Sequence, residues 1–222
     1  MVYFTTEFIE FFKELAPNNH KDWFDENRKR YHEHVKKPFE VFVQELIDRA
    51  NKIDSEIDIP YNKAIFRINR DIRFSKNKEP YKISRSAIIS AGGTKNKSLP
   101  GLYFEINPEE VRVYSGLFQM DKHQLQRVRE EIAENLKEFN ALISDKDFVE
   151  TFGEIRGEKN VRIPKEFKDI ENEQPLIANK QFYYFTKLPL DIIYTDEFPD
   201  IVMAHYTIAK PLADFFTKPV KG

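Results

Sequence analysis

The sequence predicts an α+β domain in which helices pack on a mainly antiparallel sheet. Two observations carry this. Apolar residues recur at helical spacing before residue 60 and after residue 120, whereas the stretch between them alternates with a period of two. The links between the alternating stretches are too short for a series of βαβ crossovers, which argues against a doubly wound sheet with a nucleotide crevice. A length of 222 residues suits one domain. The expected layout is N-terminal helices over 5–53, a strand-rich middle over 63–118, and a helical and irregular part over 121–222.

Thr5 or Thr6 is the expected cap of a first helix through Leu15, with Phe8, Ile9, Phe11, Phe12 and Leu15 on its apolar side and Ala16-Pro17-Asn18 as the stop. Asn19 reads as the next cap, with Asp22 three residues on. Phe24, Tyr31, Val35, Phe39, Phe42, Leu46 and Ile53 continue at helical spacing. Pro38 interrupts them, so residues 20–53 hold two helices or one kinked helix. Ile65–Phe74, Ser86–Ser90, Leu102–Ile106 and Val111–Leu117 read as strands, with Asn107-Pro108-Glu109-Glu110 as a hairpin connection and Gly92-Gly93 opening a loop. Asp121 caps a helix carrying Leu125, Val128, Ile132 and Leu136, and a shorter helix follows over 138–150. Pro164 opens a short turn inside an irregular stretch over 153–180. FYYFTKLPLD fits either period, closed by Pro189. Asp200–Phe216 reads as a last helix, weakest at Lys210-Pro211.

Composition narrows the classes. With no cysteine, disulfides, thiolate metal sites and a cysteine nucleophile are excluded. The first residues, MVYFTTEFIEFFKEL, hold acids inside their apolar stretch and do not resemble a secretory leader, and no apolar run is long enough to span a bilayer. The expectation is a cytoplasmic protein with no membrane partner. Net charge is -2, yet residues 61–100 hold 10 basic and 2 acidic side chains, between flanking regions that are acidic. Such asymmetry steers anionic partners.

The positive charge centres on FRINRDIRFSKNKEPYKISR. In an extended Phe66–Phe74, alternation places Arg70 on the same face as Phe66, Ile68, Ile72 and Phe74. An arginine cannot shed its proton, so burial there demands a counter-charge. Three readings stand: a bound anion, an internal acid that ties elements together, or an arginine reaching out at the sheet rim. For an anion, Arg70 and Arg73 would fork onto it, Lys78 and Lys82 would neutralise it, and Ser75 and Tyr81 would orient it. Arg156, Arg162 and Lys165 form a second basic set, a candidate second wall or a plain surface loop.

RINRDIRFSKNKEPYK resembles the signature of the family called domain of unknown function 2461. NNHKDWFDENRKRY, GLYFEINP and VRIPKEF resemble further stretches of that family, in the family's order along most of the chain. The resemblance implies a single α+β domain and no established activity, substrate or cofactor. Its signature falls on Arg70, Asp71, Arg73, Phe74, Ser75, Lys78, Pro80, Tyr81 and Lys82. One departure is Tyr114–Asp121, which has one glycine and no proline where members often carry a glycine-rich turn, an aromatic residue and a proline.

Known chemistries find little support. The five histidines show no metal-ligand spacing, no G-x-S-x-G occurs, and no metal or cofactor is expected. Asp71 and Glu105 are the candidate bases should the site catalyse; Glu105 equally suits a cross-strand pair with Arg67 or Arg73. Aromatics among cations also fit single-stranded nucleic acid, but the acidic remainder does not. The reading is recognition of a small phosphate- or carboxylate-bearing ligand. The alternatives are docking of an acidic protein segment or a nucleic-acid strand, turnover of such a small molecule, and a purely architectural motif. Enzymatic activity and oligomeric state stay open.

Overall fold

A computed structural model describes residues 1–221. Helices pack against a four-stranded antiparallel sheet in the order β1-β2-β3-β4, with β1 Arg85–Ile89, β2 Leu102–Ile106, β3 Glu110–Leu117 and β4 Phe182–Pro189. The expected α+β class is therefore present, and FYYFTKLPLD resolves as a strand. Among the described residues no helix is long and apolar enough to cross a membrane. The chain forms two compact units. One comprises 1–89, 103–113 and 187–203; the other comprises 90–102, 114–186 and 204–222.

The first unit is built on phenylalanine. Helix α1, Thr6–Leu15, buries Phe8, Ile9, Phe11, Phe12 and Leu15, as its periodicity requires. Thr5 stands at its N-cap but its side chain makes no capping bond. The next cap is His20, not Asn19: the His20 ring accepts from Trp23 N at 3.4 Å and opens α2, Lys21–Glu26. Asn19 is used elsewhere, because its amide carries both a donor and an acceptor and matches a free stretch of backbone. It donates to Tyr81 O at 2.9 Å and accepts from Tyr81 N at 3.1 Å.

The break in the long helical pattern precedes Pro38 rather than sitting on it. A single turn α3, Arg28–Arg30, runs into a π turn at Tyr31–Lys36, and then into α4, Lys37–Ile53, with Pro38 in its first turn. There the missing amide of proline costs nothing, while the widened turn before it absorbs the mismatch. Helix α4 buries Phe39, Phe42, Val43, Leu46, Ile47 and Ala50. Phe42 stacks on Phe198 at 4.7 Å and meets Phe4 and Phe104 edge-on at 5.3 and 5.6 Å. Rings in these geometries gain more than their buried area alone provides.

After the short helix α5, Tyr61–Ala64, the expected strand Ile65–Phe74 is not formed. The chain instead makes an irregular ribbon with two isolated bridges, Ile65 to Ala87 and Asn69 to Tyr81. One arm takes four steps between these bridges and the other takes six, so the return arm carries two extra residues. That is a bulge, and it breaks the regular ladder of a strand pair. Phe66, Ile68, Arg70 and Ile72 are still buried or half-buried while Arg67, Asn69, Asp71 and Arg73 are exposed, so the expected alternation persists through Ile72 and fails at Phe74, which is exposed.

In the second unit, Asp121 caps α6, Lys122–Glu134, in a full capping box with Gln124. The stretch expected as one helix over 138–150 is two: α7, Leu136–Ile143, and α8, Lys146–Phe152, which restarts at Asp145 as cap to Phe148 N. Pro164 precedes a 3-10 turn at Lys165–Phe167 that leads into α9, Lys168–Glu173. The last helix, α10, spans Phe198–Lys221 and begins earlier than expected. It runs through Pro211, where burial of Ala209, Leu212, Phe215 and Phe216 outweighs one missing hydrogen bond.

Candidate functional site

The basic run occupies the ribbon and its tip. Three backbone bonds hold the arms: Phe66 N to Ser86 O at 3.0 Å, Lys82 N to Ile68 O at 2.9 Å and Arg70 N to Pro80 O at 2.8 Å. Beyond Arg70 the chain is a charged, exposed loop that returns at Pro80. Tyr81 anchors its base. Asn19 grips its backbone, and its ring stacks on Phe24 with centroids 4.1 Å apart.

The expected anion donors are engaged as follows. Arg73 lays its Nε and Nη2 on the two carboxylate oxygens of Asp71, at 3.0 and 2.7 Å. This pair holds the Asp71 carboxyl below its ordinary value, first through the Arg73 side chain and then through the Arg73 amide. Arg70 donates to Glu79 at 3.3 Å, an acid at the far end of the same loop. Lys78 Nζ closes the loop on Ile72 O at 2.9 Å. The Lys82 ammonium lies 5.5 Å over the Phe66 ring. Ser75 donates its amide to Ile72 O at 3.3 Å. Phe74, beside them, is 95% exposed, with the Arg73 guanidinium 5.9 Å from its ring centre.

The candidate bases are not brought to a common point by any bond. Asp71 is occupied by Arg73, and a carboxylate held below its usual range is a weak proton acceptor. Glu105 accepts from Tyr103 Oη at 2.9 Å, two residues back on the same face of β2, and not from Arg67 or Arg73. Of the second basic set, Arg156 stacks its guanidinium 4.4 Å over Phe185, while Arg162 and Lys165 are exposed around Pro164. These three belong to the other compact unit. That unit also has an open recess of about 450 Å³ lined by Lys95, Asn96, Lys97, Ser98, Gln119, Met120 and Asp121, with no single sign of charge. Among the described residues no group of His, Asp or Glu is placed to hold a metal ion.

The family comparison bears on the whole of this arrangement. A family model described as "Conserved hypothetical protein (DUF2461)" matches residues 7–215. The chain belongs to the DUF2461 family. No curated protein and no solved structure matches it.

In this DUF2461 chain the guanidinium embedded in an apolar row is Arg85, the last residue of the basic run. Arg85, Ala87 and Ile89 share one face of β1, and Arg85 is only 4% exposed. It lies 5.1 Å over the ring of Phe39 and donates Nη1 to Phe66 O at 3.0 Å. That carbonyl faces the bulge, where the slipped register leaves the guanidinium as its donor. Burial pushes the Arg85 pKa down, opposed by the field of Tyr31 and then of Glu40. No carboxylate forms a salt bridge with it among the described residues, and its Nε is buried without a hydrogen-bond partner. Reasoning on alternation applied to Ser84–Ser90 would have found this residue. The same reasoning applied to Phe66–Phe74 placed the apolar-row arginine at Arg70 instead.

Proposed function

We propose that the loop from Arg70 to Glu79 is a docking element for an acidic segment of a partner protein. The observation that carries this reading is Phe74: a full aromatic ring, 95% exposed, at the tip of a cationic loop. Large apolar rings ringed by charge are the residues that anchor protein contacts. Arg70, Arg73, Lys76 and Lys78 stand against Asp71 and Glu79, a net charge of +2 for the loop. The exposed pairs of Arg73 with Asp71 and Arg70 with Glu79 are worth little in water, so carboxylates from a partner can replace them at small cost. Tyr81 and Lys82 are engaged at the base of the ribbon and Lys78 bonds Ile72 O within the loop, which leaves the exposed tip as the feature offered to a partner. A net charge of +2, on a chain of charge -2, is small for a polyanionic strand whose affinity rests on releasing many counterions. A protein segment needs fewer charges and uses the ring.

A benzophenone side chain at position 74, photoactivated in cells, tests the reading. Position 161 is the control, since Val161 is equally exposed in the other unit. Adducts at 74, absent at 161, whose cross-linked peptides are rich in Asp and Glu support it. Nucleic-acid adducts at 74, or the same products from both positions, overturn it. Phe74→Ala is expected to abolish binding to the cross-linked segment and to leave the melting temperature unchanged, because the ring buries nothing.

A further inference from the structure

Three arginines show how this protein uses the planar edge formed by Nε and Nη2. Arg73 places that edge on both oxygens of Asp71. Arg129, buried in α6, places it on the carbonyls of Ile177 and Asn179 at 2.8 and 3.2 Å. Arg85 turns its Nη1 to Phe66 O and leaves the edge unclaimed, with Nε buried and without an acceptor. An arginine edge of this kind matches two oxygens of a carboxylate or phosphate group. A charge buried with neither counter-ion nor full hydrogen bonding is among the costliest features a fold can carry.

The surroundings suit a ligand more than a purely architectural part. Phe39 covers one face of the guanidinium, and Tyr31, itself buried, is electrostatically coupled to it. Tyr31 opens the π turn Tyr31–Lys36, and Phe39 stands in the first turn of α4 that follows it. Such turns concentrate at functional sites, and their wider ladder is easier to shift than an α-helical turn. The acid that acts on Arg85 electrostatically, Glu40, pairs with Lys36 at 3.8 Å and forms no salt bridge with Arg85.

We propose that Arg85 is the anchor of a binding site for a small oxyanion, a carboxylate or phosphate group received on its Nε/Nη2 edge beside the π turn. This site is separate from the exposed loop, and either reading can fail without the other. The probes are inorganic phosphate and acetate, titrated at constant ionic strength against the melting temperature of the full chain. The expected result is a saturable upward shift for wild type, as for any ligand that binds only the folded state. In Arg85→Met that shift is lost and the starting melting temperature is unchanged or higher, because an apolar side chain of similar length relieves the uncompensated charge. Arg85→Lys keeps the charge but not the fork, and binds at least ~10-fold more weakly. Equal shifts in wild type and Arg85→Met, or no saturable shift in wild type, overturn the proposal. Should Arg85→Met fail to fold, the Arg85 Nε–H resonance of wild type decides. Displacement on adding either anion supports the site, and a fixed resonance refutes it. Which of the two probes saturates at lower concentration separates a carboxylate ligand from a phosphorylated one.

Discussion

Tyr184 shows what one buried polar atom demands. It is among the largest fully buried side chains, wedged edge-on against Phe148 and Phe152 at 4.8 and 5.0 Å. Its hydroxyl donates to Ala209 O in α10 at 3.1 Å. Burial raises the phenol's pKa far above its ordinary 10, so the group folds neutral. Removing the hydroxyl in Tyr184→Phe is expected to cost about 1 kcal/mol, the net value of one hydrogen bond, readable by urea denaturation. The sign of the pH effect follows from the raised pKa. The stabilisation is complete below the unfolded value near 10 and is lost as pH rises toward the folded value. Wild type therefore weakens above pH 10 more steeply than Tyr184→Phe, in melts taken from pH 8 to 11. At the same scale, Asn19 and Arg85 illustrate residues whose partners lie far away in sequence. Neither the 62-residue reach from Asn19 to Tyr81 nor the carbonyl of Phe66 can be inferred from local spacing.

At the scale of elements, β3 meets β4 at a point only glycine allows. Gly116 has φ +100, and a Cβ there would stand 2.1 Å from Phe182 O. Gly116→Ala combines a strained backbone with a backbone overlap, so a loss of at least ~2 kcal/mol is expected, seen as an earlier denaturant midpoint. The single glycine of the Tyr114–Asp121 stretch thus serves strand packing. The elements with strong period were legible in sequence: α1, α6 with its Asp121 cap, β2 and β3. Failures fell where two local signals competed. Alternation over Ile65–Phe74 suggested a strand, but the two extra residues in the return arm break its pairing. Pro38 suggested a kink, but the disturbance is placed one turn earlier, where a π turn widens the ladder.

At the scale of the whole molecule, acid stability rests on many small terms. Arg30 takes Glu14 with Nη1 and Nη2 at 2.6 and 2.9 Å and Glu7 with Nε at 3.0 Å, and it holds the Glu14 carboxyl below its ordinary 4.5. The carboxyls of Glu110 and Asp121 are lowered too, by Arg112 and by the amide of Gln124 respectively. A lowered carboxyl contributes stability above its unfolded value and loses it as pH falls through the folded one. Melting temperature is accordingly expected to hold from pH 7 to about 5 and to fall below about 4. In Glu14→Gln the fall is shallower and the neutral-pH melting temperature slightly lower. Raised salt narrows the difference, because these pairs are exposed.

The sequence by itself determined the α+β class, the elements of strongest period, the Asp121 cap and the place where positive charge gathers. Each of these follows from neighbours within a few positions, through helical or strand period and local hydrogen bonding. Tertiary structure alone decided what the buried arginine meets. Alternation in β1 is enough to set Arg85 among apolar residues, but its acceptor, Phe66 O, lies 19 residues away on the other arm of the ribbon, beyond any local pattern. It also decided that the tip of the basic run faces outward with a bare phenylalanine, and that its guanidinium groups meet acids of their own loop.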